Sequence, residues 1–537
     1  MRTVWPNRLW LLACLLAFAT PLFVGLDHRE MHNDEAIYSY AVERMIDTGD
    51  WATPRSIPTD HEFLEKPPLK IWLVSSLMTL GVVPRDELGL RLLDAVFGTI
   101  TFAYVFWFGL RLRGRLAGVV AVLVLVTYHP LVFDHGLRSN NMEAALVLAY
   151  VGGLWHALGW SDGGPGSRRH AWCAAGYFVL GFMTKYIAAL FLPAIALLWW
   201  AWRPGGLRDL GRRSTEWFAP ALGALALIAP WFIYESWLHG RVFWEILLGQ
   251  QVLDRFTAGV DPAHLAPWHF YLSQTWHELS RAGTQWFVMA GFGLLMWRAV
   301  RHDDAGARLA LVWWVLPISL ISLGSSKLVH YSYPFLPPLA LGAGLAVSML
   351  IDFLGRVATT RLFPAAGRRH LSRLVPGGAV LLLGFWLSWP AYAHLVETAR
   401  QVYRPVATMA TCVAQEGGTG VYVIGPERLS HTYFYYLRHA GPWVAWRDDQ
   451  EETRRRILSL DIAEQTPVLM TREVWRQMRV ALDLPPMKAP GTPGQSSFDV
   501  GLQFDRADVL LVPPRFRRCL DLALATGGHR LEPDGPP

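Results

Sequence analysis

The residues of this chain best suited to chemistry gather in the stretch Met31–Leu69. Asp34 and Glu35 form an acid pair that opens an amphipathic run, Ala36, Ile37, Tyr40, Ala41 and Met45, spaced for a short helix lying along a surface. Gly49, Asp50 and Trp51 follow, and then Glu65 and Lys66 stand directly before Pro67 and Pro68. The prolines fix their own backbone and keep the preceding residue out of the helical region, so an acid and a cation are presented from a rigid turn. A carboxylate can take a proton from an attacking hydroxyl or orient an acceptor, and an ammonium can hold an anionic group and offset charge on a departing one. Further candidates lie downstream: Arg138 and Glu143 in GLRSNNMEAALVL, Lys185 in TKYIAALFLP, His264 in the 239–283 stretch, and Lys327 with Tyr331 in SSKLVHYSYPFLPPLAL.

What must position them is a membrane scaffold. The chain of 537 residues is 52% hydrophobic and 17% charged, against the roughly 25% charged of a soluble domain. Apolar stretches recur at Leu9–Leu26, Leu92–Leu110, Leu116–Phe133, Ala144–Trp160, Trp172–Thr184, Tyr186–Trp202, Trp217–Leu238, Thr284–Trp297, Leu309–Leu323, Tyr333–Ile351 and Leu374–His394. Between them, Arg clusters such as Arg111/Arg113/Arg115, Arg203/Arg208/Arg212/Arg213 and Arg298/Arg301/Arg308 fall at every second connection, which places them in the cytoplasm. The net charge of +6 therefore reports membrane orientation and not nucleic-acid binding. Parity then requires that Lys70–Val83, short of the ~20 residues a span needs, does not cross. With that assignment all the candidates above fall at the outer, periplasmic face.

Those residues in that order resemble a known family. Asp-Glu, a short helix, Gly-Asp-Trp and Glu-Lys-Pro-Pro-Leu are similar to the polytopic glycosyltransferases that use polyprenyl-phosphate sugars, the group of lipid A aminoarabinose transferase and the protein O-mannosyltransferases. The resemblance implies a GT-C type fold, an α-helical polytopic membrane protein with about eleven to thirteen transmembrane helices. It implies a membrane glycosyltransferase with a polyprenyl-phosphate-linked sugar donor, a lipid (lipid A-like) or protein acceptor, and membrane lipids around it. Asp34, Glu35 and Glu143 would then be catalytic, and Lys66, Lys185, Lys327 and Tyr331 would bind the donor phosphate. Phe-Trp, Arg-Phe and His-x-x-Pro-Trp pieces of the long outer loop resemble the matching loop of aminoarabinose transferases. On that basis Glu65 and His264 would ligate a divalent metal, zinc or else magnesium or manganese. Read from the residues alone, His264 is a solvated loop histidine, Lys185 an anchoring lysine, and Lys327 with Tyr331 part of an interfacial belt. Two positions depart from the family's pattern: Glu143 stands where relatives tend to have Asp, and Gln250-Gln251 where some have Glu-His.

After His394 the composition becomes more polar. GVYVIGP, TPVLMT and ADVLLVPP read as short strands and TYFYYLRH as a helix. The expected organisation is thus a transmembrane domain over 1–398 with outer loops at 27–91 and 239–283, and a small soluble periplasmic α/β domain over 399–537. Cys412 and Cys519 are either a disulfide or two free thiols. The tail from Glu532 reads as disordered. A different class, a transporter or flippase of a lipid-linked substrate, would carry its charges within spans and in repeated helices; no repeat is visible. The expected location is the bacterial inner membrane, crossed many times.

Overall fold

Apolar runs with few charges can satisfy their backbone in lipid only as helices, and up to Arg400 the chain is helical nearly throughout. In the computed structural model, residues 4–57, 60–257, 264–361 and 369–418 are described, with 421–424, 430–437, 443–444, 467–471, 473–474, 476–477, 500–503, 508–527 and 529–530 beyond them. The tail from Glu532 lies outside these residues. In chain order the helices are α1 (Val4–Phe18), α2 (Thr20–Phe23), α3 (Asp34–Thr48), α4 (Leu69–Thr79), α5 (Glu87–Leu112), α6 (Arg115–Val126), α7 (His129–Phe133) and α8 (Glu143–Ser161). They continue as α9 (Ser167–Ala189), α10 (Phe191–Ala201), α11 (Gly206–Arg212), α12 (Ser214–His239), α13 (Arg241–Trp244), a π-helical segment Glu245–Asp254 and α14 (Arg255–Thr257). Then come α15 (Phe270–Arg281), α16 (Gln285–Arg301), α17 (Ala305–Leu323), a 3-10 segment Val329–Phe335, α18 (Pro337–Arg361) and α19 (Arg369–Arg400).

Among the described residues five helices are long and apolar enough to cross a bilayer: α5, α8, α12, α17 and the Pro337–Val357 part of α18. The pair α9 and α10, bent by 86° at its break, makes six if taken as one broken span. The expected eleven to thirteen, counted at about 20 residues each, also took in shorter apolar segments such as those now seen as α1 and α6. Helix α12 is covered over only 22% of its apolar window and exposes Leu222, Leu225, Leu227, Ile233 and Trp237; an apolar helix bare on this scale belongs in lipid. The chain is a multi-pass membrane protein. Helix α4, the segment expected not to cross, has 11 residues, about 16 Å against a hydrocarbon core of about 30 Å.

The chain divides into two compact units, the first made of Met1–Val24, Asp50–Pro54 and Phe63–Ala399. In it α16 and α18 cross at bare backbone: a Cβ on Gly291 would lie 2.0 Å from the Gly342 carbonyl carbon, a small-residue contact of the kind membrane helices use. Arginines tie one end of this bundle together. Arg111 pairs with Asp162 at 2.6 Å and Arg113 with Asp352 at 2.5 Å, while Arg298 donates to the Leu112 carbonyl at 3.2 Å. Helix α8 ends there and begins, at Glu143, at the other end.

The second unit joins Gly25–Gly49 and Arg55–Glu62 to Arg400–Pro537. It holds a hairpin of β1 (Arg55–Ser56) and β2 (His61–Glu62), and a mixed sheet of β3 (Tyr422–Ile424), β4 (Trp443–Val444), β5 (Val468–Thr471), β6 (Val500–Gln503), β7 (Asp508–Val512) and β8 (His529–Arg530). The sheet order is β4-β3-β5-β7-β6-β8, with β3 parallel to β4 and β5 and the other pairs antiparallel. Helices α20 (Pro405–Gln415), α21 (His431–Leu437) and α22 (Arg517–Ala525) complete it. Cys412 on α20 is disulfide-bonded to Cys519 on α22, while Cys14 and Cys173 are free.

Helix α3 (Asp34–Thr48) is covered on more sides than its apolar stripe predicts. Its apolar stripe is buried at Ala36, Tyr40, Ala41 and Met45, but so are Tyr38, Ser39 and Val42 on its flanks. Helix α21 supplies part of the cover, and Tyr435 donates to Glu43 Oε1 at 2.5 Å. Tyr40 and Arg44 both donate to Asp60, and the Arg44 hydrogen bonds hold the Asp60 carboxyl below the usual carboxylate range.

Candidate active site

In the first unit a nest of charge forms where α8 starts. The Glu143 carboxylate, 3% exposed, accepts from Lys185 Nζ at 2.5 Å, and His330 Nε2 lies 3.7 Å from the same oxygen. His135 stacks on His330 with 4.5 Å between ring centres. Lys185 Nζ also stands 5.1 Å over the Tyr331 ring, and Arg255 Nη1 donates to the Tyr331 hydroxyl at 2.9 Å. Each member has a local cause. An acid in the first turn of a helix meets the positive end of its dipole. Lys185 occupies a break in α9, with φ −147° and ψ 70°, and irregular backbone at membrane depth is tolerated where it lines a protein-enclosed site. His330 and Tyr331 ride on the 3-10 segment. The nest thus holds one carboxylate with one lysine and two imidazoles around it, and a second permanent cation, Arg255, on the Tyr331 phenol, an excess of positive charge suited to an oxyanion.

Lys327 fastens this nest. Its ammonium is 5% exposed and donates to the carbonyls of Ala266 at 2.8 Å and Gly324 at 2.5 Å, and burial holds its pKa below the usual lysine range. The Lys327 N–H donates to the His264 carbonyl at 2.8 Å, and those of Ser326 and Ser325 to Arg255 and Phe256, both at 3.2 Å. The Ser-Ser-Lys segment is thus a strap that holds the loop carrying Arg255 and His264.

Glu65 and Lys66 are half-buried. Lys66 Nζ lies 5.9 Å over the Phe63 ring, and Glu65 and Arg255 are both within electrostatic reach of the Tyr186 phenol. Their turn is anchored from below: Lys70, 1% exposed, pairs with Asp94 at 2.8 Å and donates to Asn140 Oδ1 at 2.8 Å. The Asp50–Pro54 segment is anchored too. Trp231 Nε1 donates to the Ala52 carbonyl at 3.0 Å, and Thr53 Oγ1 to the fully buried Glu235 at 2.9 Å.

In the second unit Asp34 is the first residue of α3 and half-buried. Glu35 differs from it: it is 4% exposed and turns back to accept from the His32 N–H at 3.4 Å.

Residues 65–234 match the family described as dolichyl-phosphate-mannose-protein mannosyltransferase. The undecaprenyl phosphate-alpha-4-amino-4-deoxy-L-arabinose arabinosyl transferase 2 of Pseudomonas fluorescens is 28% identical over 402 residues, covering 73% of this chain and 63% of that protein. The crystal structure of ArnT from Cupriavidus metallidurans bound to undecaprenyl phosphate aligns with a TM-score of 0.67 at 19% identity, over 94% of this chain and 98% of that one. The chain has the GT-C glycosyltransferase fold. The archaeal oligosaccharyltransferase AglB from Archaeoglobus fulgidus, in complex with an inhibitory peptide and a dolichol-phosphate, shares it more distantly, with a TM-score of 0.59 at 13% identity over 89% of this chain and 71% of that one. The chain spans 63% and 58% of the lengths of the first two curated relatives it matches.

Within this GT-C fold the structure brings Glu143, Lys185 and Tyr331 together, with Lys327 on the strap and His264 on the loop that the strap holds. Arg255, His330 and His135 were not singled out beforehand. The signal for Arg255 was the Arg-Phe piece of the long loop, and His330 lies inside the quoted SSKLVHYSYPF; neither stretch says which partner its side chain meets. For a metal, Glu65 and His264 offer a carboxylate and an imidazole. Among the described residues the one group of three or more donors around a common point is Cys412, Glu416 and Cys519, where the thiols are joined. Glu65 and His264 supply two donor types, where a zinc site has at least three protein ligands.

Proposed function

We propose that this chain is an integral membrane glycosyltransferase that moves a sugar from a polyprenyl phosphate to a lipid A-like or protein acceptor at the periplasmic face of the bacterial inner membrane. The observation that carries the reading is the cationic nest of Lys185, Arg255 and Tyr331 around Glu143, at the bundle end opposite the arginine-tied end. The positive-inside rule turns the arginine end to the cytoplasm and the nest outward. The relatives' names supply the donor class.

In this reading the acceptor oxygen attacks the anomeric carbon as the bond from that carbon to the polyprenyl-phosphate oxygen breaks, and the phosphate departs with the bonding pair. Lys66, Lys185 and Arg255 offset the charge it gains, Tyr331 donates to it, and Lys327 acts by holding the loop of Arg255. Asp34 is the reaction-centre carboxylate. It takes the proton of a hydroxyl acceptor, or orients an acceptor phosphate, which is already largely ionised at neutral pH. Glu35 sets the start of α3, and Glu143 aligns Lys185. A divalent metal at Glu65 and His264 would add a further positive charge, with water or substrate oxygen completing its shell; no step above requires it.

The test is Asp34→Asn, which keeps side-chain shape and capping capacity, so a structural role would survive at a cost of ~1 kcal/mol. Sugar transfer by folded, membrane-inserted protein should fall by on the order of a hundredfold or more, with Asp47→Asn as the exposed control. Transfer within a few-fold of wild type would remove Asp34 from the reaction. Metal content of purified His264→Ala and Glu65→Gln, if unchanged from wild type, would remove the metal.

A further inference from the structure

Asn33 immediately precedes Asp34, and its backbone stands at φ 44° and ψ −114°. Residues with a Cβ rarely take positive φ, and this ψ lies outside the small left-handed well that Asn tolerates. Such a conformation persists only where its surroundings over-determine it. At Asn33 the surroundings come from the far end of the chain. The Asn33 N–H donates to Thr432 Oγ1 at 3.3 Å, and the Ser430 hydroxyl donates to Asn33 Oδ1 at 2.7 Å. The two hydroxyls are 3.2 Å apart, and Thr432 is 5% exposed. Two residues earlier, the Met31 N–H donates to the Tyr436 hydroxyl at 2.9 Å.

The grip continues upstream. The Glu30 carboxylate accepts from the N–H groups of Val406 and Ala407 at 3.0 and 3.3 Å, and the Glu30 N–H donates to the Tyr403 carbonyl at 3.0 Å. Downstream, the Asn33 carbonyl accepts from Ala36 and Ile37 at 2.9 and 3.3 Å. Asn33 is therefore the last residue before α3, and its carbonyl already accepts from the helix's first turn. Its dihedrals decide where the helix starts, and so the direction in which the Asp34 side chain leaves the backbone.

We propose that Asn33, Ser430 and Thr432 form a latch through which the C-terminal residues hold the Asp34 carboxylate in its working direction, making all three positioning residues of the transfer reaction. The proposal rests on the reading of Asp34 given above. It gives the C-terminal segment a part in the chemistry without any contact with substrate. A plain tether between segments would need no residue in a disfavoured backbone state, and the hydroxyls would serve as well on a residue away from Asp34.

The experiment uses the full-length purified protein with undecaprenyl-phosphate aminoarabinose as donor and lipid A as acceptor. Ser430→Ala/Thr432→Val removes both hydroxyls and keeps the side-chain volumes. It should lower kcat per folded molecule by on the order of tenfold or more, with the donor KM within about twofold of wild type because the cationic nest is untouched. Adding Asn33→Gly should recover most of that loss, since glycine reaches positive φ without a latch. Gln477→Ala, an exposed change in the same unit, is the control for nonspecific loss. If the double variant keeps kcat within twofold while Asp34→Asn has lost activity, or if glycine recovers nothing, the latch is overturned. If Asp34→Asn is itself active, the reading of Asp34 fails, and that result is distinguishable because it does not depend on the latch variants.

Discussion

Glu143 is the carboxylate whose surroundings most constrain its work. It is buried among Lys185, His330 and His135, and removing one partner of a buried pair commonly costs about 3–5 kcal/mol because the other charge is left uncompensated. Glu143→Gln should therefore misplace the Lys185 ammonium and raise the donor KM at least tenfold, more than it lowers kcat. Glu143→Asp, which keeps the charge, should fall between wild type and Gln. An unchanged KM in folded Glu143→Gln would separate Glu143 from donor binding. Lys185 was legible through the resemblance of TKYIAALFLP to a family element between two apolar stretches, and the break in α9 falls at that residue. Lys327 was read as a cation for phosphate through the family resemblance of SSKLVHYSYPFLPPLAL. Its ammonium points to the carbonyls of Ala266 and Gly324, and the choice of acceptor depends on a loop folding back over it, which sequence spacing does not encode.

At the scale of elements, the buried Lys70–Asp94 pair holds α4, and with it the Glu-Lys-Pro-Pro turn, against α5 and the Asn140 loop. Asp94→Asn should lower stability by roughly 3–5 kcal/mol, whereas Lys70→Met/Asp94→Leu, which leaves no orphaned charge, should lose less than either single change. Melting of the detergent-purified protein checks this; losses that simply add would show that the two side chains do not act as a pair. Short strands and helices were readable when their apolar runs were dense. β3, β5 and β7 fall within GVYVIGP, TPVLMT and ADVLLVPP, and α21 begins one residue before TYFYYLRH. The second covering of α3 was not readable. A 3.6-residue stripe is satisfied by one buried face, and the Tyr435 that contacts Glu43 lies 392 residues downstream. The hydroxyls of Ser430 and Thr432 look like ordinary polar residues until Asn33 is seen between them.

For the whole molecule the orientation in the membrane decides whether any of this chemistry is accessible to a periplasmic acceptor. Two independent features bear on it. Arginines tie one end of the bundle, including Arg111 with Asp162 and Arg113 with Asp352, and the positive-inside rule favours the cytoplasm for such an end. The Cys412–Cys519 disulfide closes a separation of 107 residues, a bond that oxidising compartments favour. Each argument could fail without the other, so their joint test is demanding. With Cys14 and Cys173 replaced by Ser, thiols introduced as Arg208→Cys and Arg301→Cys should resist a membrane-impermeant maleimide in intact cells and react after lysis. Thr48→Cys and His277→Cys, both at exposed positions, should react before lysis. Cys412 and Cys519 should stay unlabelled until a reductant is added, and their replacement by Ser should cost roughly 2–5 kcal/mol of stability in the C-terminal unit. Labelling of Arg208→Cys from outside would invert the bundle and put the nest on the cytoplasmic side. Labelling of Cys412 without reductant would leave the arginines as the sole support for the orientation, and the C-terminal residues that hold Asn33 would then lack the covalent tie between α20 and α22.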